Sequence, residues 1–365
     1  MAAVPETQNG WRVVRQGPPR RALALQTFPV PRVRDGEVLV KIEAAALNPV
    51  GYKLMQLLPN LFSHRPHVAE HDFTGIIADA GNSDYKVGDP VIGMIPVPLQ
   101  RKNGQGALAQ YATVPTQYIV SRPPSLVATQ AAGISLAGVT AYLATTQYLE
   151  VESGQHILIN GGSSSVGSFA IQIAKARGCT VTASCSTANL DLVRSLGADE
   201  VRQRDKSRWP ALTHSDNYTK AVDYTIQPIH AYFTANAPTP KFHGILDCVG
   251  NTPQLFLCSP AYLAPSGKFI STGPSMDKLS QLPGVLWDML QVSAWPRWLG
   301  GVPRHYATIV GLTSIDKCLS EITKLVNDGK LRPLVDSVHS FDEVFNAYDK
   351  ILTHRAKGKV VVTIN

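Results

Sequence analysis

The sequence has few of the features that mark exported, membrane-spanning or disulfide-rich proteins. Its 365 residues include only five cysteines, with no C-x-x-C pair and none before Cys179. An odd number of dispersed cysteines is typical of free thiols in a reducing compartment. The beginning of the sequence has no apolar signal-like run, so we expect a cytoplasmic protein. The most apolar late window, 282–301, is interrupted by Asp288, Arg297 and two prolines, a composition that does not suit a transmembrane helix.

Basic residues exceed acidic ones, yet they do not cluster. The chain has 34 Lys and Arg against 27 Asp and Glu, a net charge of +7, and no basic run longer than two residues such as Arg20-Arg21. Nucleic-acid binding proteins usually concentrate this charge in a patch or stripe, so we expect no nucleic-acid partner. The length favours two domains, and the apolar content of 44% is ordinary for a globular protein.

The pattern of apolar residues changes along the chain. The first third consists of short alternating segments separated by Gly and Pro, such as 37–48, which predicts a small β-barrel. From His156 to about Gly273, strand-like and helix-like segments alternate. Predicted strands at His156–Asn160 and Thr180–Cys185 flank a predicted helix at Ser168–Arg177. Such alternation indicates an α/β fold with a doubly wound parallel sheet.

The segment "NGGSSSVG", Asn160–Gly167, lies between a predicted strand and a predicted helix. This is the position of the dinucleotide fingerprint G-x-G-x-x-G, whose second glycine is here a serine. The first and third glycine roles fall on Gly162 and Gly167, and the serine hydroxyls can bond a phosphate directly. A serine-rich loop without a ligand is the alternative interpretation. The predicted cofactor turn comprises Gly162, Ser163, Ser164, Ser165, Val166 and Gly167.

The end of the second predicted strand indicates which dinucleotide binds. An NAD site usually has Asp or Glu there for the ribose 2′-hydroxyl. This sequence has the neutral residues Ser184, Ser186 and Asn189, and Arg204 follows the next predicted strand. Neutral donors and an arginine suit a 2′-phosphate, so the pattern favours NADPH over NADH. The alternative is that these polar residues only cap the following helix.

An ordered series of phrases covers nearly the whole chain and resembles one family. It includes "GEVLVKIEAAALNPVGYK" (36–53), "EHDFTGIIADAG" (70–81), the turn above, and the C-terminal segment 329–365. The chain is similar to medium-chain dehydrogenases/reductases, specifically the zinc-free branch of quinone oxidoreductases and enoyl reductases. The resemblance implies a GroES-like β-barrel catalytic domain from 1–125 and 313–365, a Rossmann domain at 126–312, and a cleft where cofactor and substrate meet.

Zinc-dependent relatives carry a set of Cys, His and acidic ligands in these phrases. Only His71 of "EHDF" falls on such a position in this sequence. One histidine cannot hold Zn²⁺, which takes about four ligands. We therefore predict no metal, and we interpret His71 as a core or cleft residue.

The same resemblance implies which residues act on the substrate. In related enoyl reductases a Tyr or Lys after the Asn-Pro pair stabilises the developing enolate, which corresponds here to Tyr52 and Lys53. Asn48 is expected to orient the substrate carbonyl or the nicotinamide ribose. A solvated lysine and a packed tyrosine are the alternatives. The usual acid of "NPVDYK" is replaced by Gly51, so the contacts that this acid makes are in doubt.

Further cofactor contacts follow only from the resemblance. They are Thr140, Val249, Gly250 and Gly273, whereas Lys359 matches a family position for which we predict no contact. The family also implies a homodimer. The Trp-rich segment 286–301 departs from short quinone reductases, and three roles stay open for it: a substrate pocket, a dimer surface, or core packing.

These observations predict an NADPH-dependent reductase that transfers hydride, without metal, to an enone, a 2-enoyl group or a quinone. Two alternatives lie within the same chemistry: an NADPH:quinone oxidoreductase, and a trans-acting enoyl reductase of a biosynthetic pathway. A catalytically silent, crystallin-like NADPH-binding protein is the alternative of a different class. The turn alone does not separate these hypotheses, because all of them require it.

Overall fold

A computed structural model of the chain describes residues 3–199, 221–223, 228–250, 253–309 and 311–364. The chain forms two compact units. The first comprises Met1–Val139, Asp277–Leu279 and Thr313–Asn365, and the second comprises Thr140–Met276 and Ser280–Leu312. Both ends of the chain therefore contribute to the first unit.

Strands dominate the part of the chain before residue 143. Its elements are β1 (Thr7–Val13), α1 (Pro19–Ala22), β2 (Leu23–Pro29), β3 (Glu37–Ala46), α2 (Pro49–Leu57), β4 (His67–Val68), β5 (Asp72–Asp79), β6 (Pro90–Met94), α3 (Val97–Asn103), β7 (Tyr111–Pro115), β8 (Ile119–Ser121), α4 (Ala128–Ala131) and α5 (Ser135–Leu143).

Strands and helices alternate in the middle of the chain. The elements there are β9 (His156–Asn160), α6 (Ser165–Ala176), β10 (Thr180–Cys185), α7 (Leu190–Ser195), β11 (Ala221–Asp223), α8 (Ile229–Ala235), β12 (Phe242–Asp247), α9 (Pro253–Leu257), β13 (Leu263–Ser271), α10 (Leu282–Met289) and β14 (His305–Thr308). The last part contains α11 (Ile315–Asn327), β15 (Val335–Ser340), α12 (Val344–Leu352) and β16 (Lys359–Thr363).

In the first unit, β3 is the central strand. It pairs antiparallel with β5, β7 and β16, within a seven-stranded sheet whose main order is β15-β16-β3-β5-β6-β8. A second, three-stranded sheet has the order β2-β1-β4. Apolar residues of β3, β5 and β16, including Val40, Phe73 and Val362, lie in one core cluster. The barrel-like arrangement confirms the predicted GroES-like domain, and its last strand comes from the end of the chain.

In the second unit, the described strands form one parallel sheet of order β11-β10-β9-β12-β13-β14. Numbered within the unit, this is the 3-2-1-4-5-6 order of a Rossmann fold, which confirms the predicted fold class. Strands β9 and β10 have the predicted bounds, whereas α6 begins three residues earlier than the predicted Ser168–Arg177. The serines before Ser168 had indicated a loop, but Ser164 caps the helix and Ser165 is its first residue.

The first unit extends farther along the chain than the domain boundary we predicted after residue 125. Residues 126–139 group with the first unit, because α4 contacts β3, β5, β15 and β16. Ala132, which follows α4, packs with Ala44, Ala46 and Val361 in a small buried cluster. Small side chains allow this helix to approach the sheet closely, which the alanine-rich composition alone did not indicate.

The Trp-rich segment is largely exposed. On α10 and the residues that follow, Val285 is buried, whereas Leu286, Trp287 and Trp298 are exposed to 57%, 55% and 82%. Core packing is therefore not the role of Trp287 or Trp298 within this unit. Among the described residues, the structure contains no helix that is long and apolar enough to cross a membrane.

Candidate functional site

In the first unit, a buried polar network surrounds the start of α2. The Lys359 Nζ donates to Asn48 Oδ1 at 2.6 Å and to Asp72 Oδ2 at 3.0 Å. The Asn48 Nδ2 donates to the same Asp72 oxygen at 3.1 Å, and the Leu136 N–H donates to Asp72 Oδ1 at 2.9 Å. These three side chains are buried, so the charges of Lys359 and Asp72 are paired where an isolated charge would be costly.

Asn48 is thus held by protein partners on both sides of its amide. Its carbonyl accepts from Lys359, and its amino group donates to Asp72 and to the Ala46 carbonyl. We had predicted Asn48 as a residue that orients substrate or ribose. The contacts place it instead in the network that links β3, β5 and β16, and its predicted role toward a ligand stays a prediction.

Glu70 lies beside this network. The Asn48 backbone N–H donates to Glu70 Oε2 at 3.0 Å, and the Tyr348 hydroxyl donates to Glu70 Oε1 at 2.7 Å. Burial raises the pKa of the Glu70 carboxyl to about 7, although the Tyr348 and Asn48 hydrogen bonds and the charge of Lys359 act in the opposite direction. The Glu70 backbone has a φ of 62°, in the left-handed region that favours glycine.

Tyr52 and Lys53, the predicted enolate-stabilising residues, both lie on α2 but differ in exposure. Tyr52 is 1% exposed, and its ring lies edge-on to His354 at 6.4 Å between centroids. Burial, with Asp277 and Glu70, raises the pKa of Tyr52 to about 12, so its hydroxyl stays protonated at neutral pH. Lys53 is half-buried; burial lowers the pKa of its ammonium group and Asp277 opposes this shift.

The surroundings of His71 do not fit a zinc ion. Its Nδ1 lies 2.9 Å from the Ile95 carbonyl oxygen, and burial lowers the pKa of the ring, which favours the neutral form donating to that carbonyl. In the part of the chain that the structure describes, no three His, Cys, Asp or Glu side chains group in a way that could hold a metal ion. No chemical step is therefore assigned to a metal.

In the second unit, the predicted cofactor turn joins β9 to α6. Gly161, not Gly162, has the left-handed backbone of a tight turn, with a φ of 83°. The first glycine role that we gave to Gly162 is therefore wrong in register. Gly162 donates its N–H to the Ser184 carbonyl at 2.8 Å and lies against Ala183 and Ile171, so it permits close packing on β10. Gly161 and Gly162 are adjacent, and our alignment of the fingerprint started at the second of the two.

Gly167, to which the third glycine role was given, lies directly against Gly161 and Gly162. A Cβ on Gly167 would overlap the Gly161 carbonyl, so only glycine lets α6 pack this closely against the turn. The Ser164 hydroxyl accepts from the Gly167 N–H at 3.0 Å and caps α6. No acidic residue lies in the first turn of α6. Its N-terminus is thus compatible with an anionic ligand.

Ser184 supports the turn from inside the sheet. Its hydroxyl donates to Asn160 Oδ1 at 2.6 Å and accepts from the Gly161 N–H at 3.0 Å, and the side chain is fully buried. We had predicted this hydroxyl as a donor to a 2′-phosphate, whereas here it bonds within the protein. Asn160 in turn donates from Nδ2 to Asp247 Oδ1 at 2.8 Å, which ties β9, β10 and β12 together at their carboxyl ends.

The other predicted cofactor residues take different positions. Ser163 accepts at Oγ from Asn189 Nδ2 at 3.0 Å, and both Ser186 and Asn189 are half-buried beyond β10. Ser165 and Val166 begin α6, and Thr140 is buried in α5. Arg204 lies outside the described residues. The roles of all these residues toward a cofactor stay predictions.

Two further loops meet the turn at the carboxyl edge of the sheet. The Val249 N–H donates to Asp247 Oδ1 at 3.1 Å, and a Cβ on Gly161 would lie 2.8 Å from Val249 Cγ2. Gly250 has a φ of 69°, and a Cβ there would overlap the Gly273 carbonyl. The structure therefore brings Val249, Gly250 and Gly273 together beside the turn, at the edge where Rossmann folds bind ligands.

Four buried polar residues of these networks were missed as site residues: Asn160, Asp247, Glu70 and Asp72. Lys359 had been noted without a predicted contact, yet it is 2% exposed and bonded to Asn48 and Asp72. Asn160 and Asp247 each end a strand and directly follow two or three apolar residues. A single polar residue at that position is a usable signal, because parallel strands end together at one edge of the sheet.

The fold and the turn define a nucleotide-binding α/β protein with a GroES-like domain. The pattern described as "Alcohol dehydrogenase GroES-like domain" matches residues 34–124, and that described as "Zinc-binding dehydrogenase" matches 217–362. The trans-enoyl reductase pgmF of Aspergillus terreus is 32% identical over 381 aligned positions, covering 100% of this chain and 98% of the relative. The chain belongs to the medium-chain dehydrogenase/reductase family of oxidoreductases.

Two further similarities agree with this family. The chloroplastic quinone-oxidoreductase QR1 of Triphysaria versicolor is 30% identical, covering 92% of each chain. The solved structure of the quinone oxidoreductase from Coxiella burnetii has a TM-score of 0.76 at 23% identity, covering 98% of this chain and 100% of that chain. The structural likeness supports the fold, and the full-length coverage agrees with a family resemblance that extends over both units.

Proposed function

We propose that the protein is a reductase that uses NADPH to add hydride, without a metal, to an activated carbon–carbon double bond or to a quinone. The observation that carries this proposal is the glycine-rich turn between β9 and α6, which has a glycine at each close approach and no acid in the first helical turn. The named relatives, a trans-enoyl reductase and a quinone oxidoreductase, support the choice of acceptors.

The residues of the turn fit a dinucleotide diphosphate. Gly161 and Gly167 keep side chains away from the space before α6, and the N-terminus of this 12-residue helix favours an anion. Ser164 already accepts one hydrogen bond from Gly167, and its own hydroxyl proton is a donor for a phosphate oxygen. Ser163, Ser165 and Val166 complete the predicted contact segment.

The choice of NADPH over NADH rests on the segment after β10. Ser186 and Asn189 are neutral and partly exposed there, where an NAD site usually has a carboxylate. Ser184 is assigned a supporting role under the turn because its hydroxyl already bonds Asn160 and Gly161. NADPH is expected to bind at least about tenfold more tightly than NADH, a difference of about 1.4 kcal/mol; equal dissociation constants in fluorescence titrations would contradict the assignment.

On the acceptor side, we assign the charge-stabilising role to Lys53. The bound cofactor supplies the hydride, and reduction at the β-carbon of an enone places negative charge on the carbonyl oxygen. A cation stabilises that oxygen, and Lys53 is the half-buried cation of α2. Tyr52 is assigned a packing role, since it is 1% exposed, and Asn48 holds the network of Asp72 and Lys359.

Steady-state oxidation of NADPH in the presence of 2-enoyl thioesters, enones and quinones tests this proposal. Turnover of an enoyl thioester favours an enoyl reductase, of which a trans-acting enzyme serving a biosynthetic synthase is the narrower version. Turnover of quinones alone favours the quinone oxidoreductase. Tight NADPH binding without turnover of any acceptor would instead favour a silent, crystallin-like protein. A cytoplasmic location and a homodimer stay predictions.

A further inference from the structure

Helix α2 begins without the cap that its sequence would ordinarily supply. Asn48 is the residue before the helix, and its side chain makes no capping hydrogen bond. In a capping box, an acidic or amide side chain at the third helical position accepts from the backbone N–H of the cap residue. Here the third helical position is Gly51, which has no side chain.

Glu70 supplies the missing acceptor from outside the helix. Its Oε2 accepts from the Asn48 backbone N–H at 3.0 Å, which is the bond that a capping-box acid would make. A Cβ on Gly51 would overlap both carboxylate oxygens and the Cδ of Glu70. The Glu70 carboxylate therefore occupies the space that a side chain at position 51 would need. A side chain at position 51 and the present side chain of Glu70 therefore cannot both occupy this space.

The backbone conformation of Glu70 is one that glycine adopts more easily than glutamate does. Its φ of 62° lies where glycine is favoured and where a glutamate is strained. The side chain is 1% exposed, and its other oxygen accepts from the Tyr348 hydroxyl at 2.7 Å. Glu70 thus joins the start of α2 to α12, and Tyr52 and Lys53 follow Gly51 directly along α2.

We propose that Glu70 is a positioning residue that caps α2 from the loop between β4 and β5, in place of an acid at position 51, and thereby sets the position of Lys53. The second half of this proposal rests on the proposed reductase function, whereas the capping does not. On this proposal, Glu70 accepts the hydrogen bond from the Asn48 N–H that the acid of the "NPVDYK" phrase would otherwise accept.

An exchange of the two positions tests the proposal. Gly51→Asp alone should lower kcat by more than about tenfold and lower Tm, because two carboxylates compete for one space. Glu70→Gly alone should also lower both, because the Asn48 N–H loses its acceptor. Gly51→Asp combined with Glu70→Gly should recover kcat to within about threefold of the unchanged protein, with Tm above that of either single variant.

Matched controls separate the cap from general loss of stability. Glu70→Gln keeps an acceptor for Asn48 and should retain amide hydrogen-exchange protection at Asn48, whereas Glu70→Gly should lose it. Gly51→Asp combined with Glu343→Gln, at the separate capping box of Ser340, should show no recovery.

The readouts also separate this proposal from the proposed function. Coupling between positions 51 and 70 in Tm and in hydrogen exchange requires no enzymatic activity. If no acceptor is turned over but the coupling is present, the reductase function fails and the cap stands. Tolerance of Gly51→Asp beside Glu70, or additive losses in the double variant, would overturn the cap. If the double variant recovers Tm without kcat, the link to Lys53 is wrong.

Discussion

Helices α2 and α6 each begin at candidate site residues. Their first backbone N–H groups are capped differently: by a residue of the same segment at α6, and by a residue of another loop at α2. At α6, Ser164 caps the helix from its own chain segment, and no acidic residue lies in the first turn. At α2, Glu70 brings a buried carboxylate to the Asn48 N–H from another loop. A helix N-terminus attracts negative charge. The protein therefore supplies its own acidic group at α2, whereas α6 is left suitable for the diphosphate of a nucleotide.

The largest expected effect tests the close approach at α6. Gly167→Ala places a methyl group against the Gly161 carbonyl, so the turn must open. We expect NADPH affinity to fall by about 100-fold, equivalent to about 2.7 kcal/mol, as measured by fluorescence titration. Gly284→Ala is the matched control, because a Cβ at Gly284 meets no atom within 4 Å. Unchanged NADPH affinity in Gly167→Ala would remove this turn from the cofactor site.

The second effect concerns the carboxylate at α2. Burial raises the pKa of Glu70 from 4.5 to about 7, against the opposing influence of Tyr348, Asn48 and Lys359 and together with that of Asp72. The folded protein then binds more protons than the unfolded chain between these pH values, so its stability falls as pH rises through this window.

Chemical denaturation at several pH values measures this effect. The difference in unfolding free energy between the unchanged protein and Glu70→Gln should change between pH 4.5 and 7, because glutamine does not titrate there. The other titrating groups are common to both proteins and cancel in the difference. A constant difference over this range would show that the ionisation of Glu70 is not coupled to folding.

The third prediction tests the role of Lys53, which lies on α2. Lys53→Met should lower kcat by more than about tenfold while NADPH affinity is kept, because the variant loses the cation assigned to the substrate oxygen. Lys53→Arg retains a charge and should lose less. Stopped-flow measurement of NADPH oxidation with the best acceptor provides kcat. An unchanged value in Lys53→Met would exclude Lys53 from the reaction.

The smallest effect separates capping from anion binding at α6. Ser164→Ala should destabilise the protein by about 1 kcal/mol through loss of the cap. Ser164→Asp retains a good capping residue and should keep Tm, yet its carboxylate should weaken NADPH binding more than Ser164→Ala does. If the aspartate binds NADPH as well as serine does, the diphosphate does not lie at this helix.

The sequence was sufficient for the features that depend on local patterns. Strands β9 and β10 have their predicted bounds, because β9 contains a short apolar run and β10 alternates Thr or Ser with apolar residues. The turn was found from its strand–turn–helix context, although the tight turn falls on Gly161 rather than Gly162. A glycine pair leaves this register open, since either residue can adopt a left-handed backbone.

Contacts between distant residues could not be predicted in the same way. Lys359 bonds Asn48 across 311 positions and Tyr348 bonds Glu70 across 278, and neither pair has a local pattern. Ser184 appeared suited to a phosphate, but the pairing of β10 with β9 turns its hydroxyl toward Asn160. The replacement of an acid by Gly51 was visible in the sequence. That Glu70 lies beside Gly51 could be seen only in the structure.

The pairing of β16 with β3 has a consequence for synthesis of the protein on the ribosome. The second unit has all of its described strands by Thr308, before β15 and β16 are translated. The first unit needs β15 and β16, so the edge of β3 that β16 covers stays unpaired until β16 has been translated. The second unit is therefore expected to fold first, and the sheet of the first unit is completed only after β16 has been translated.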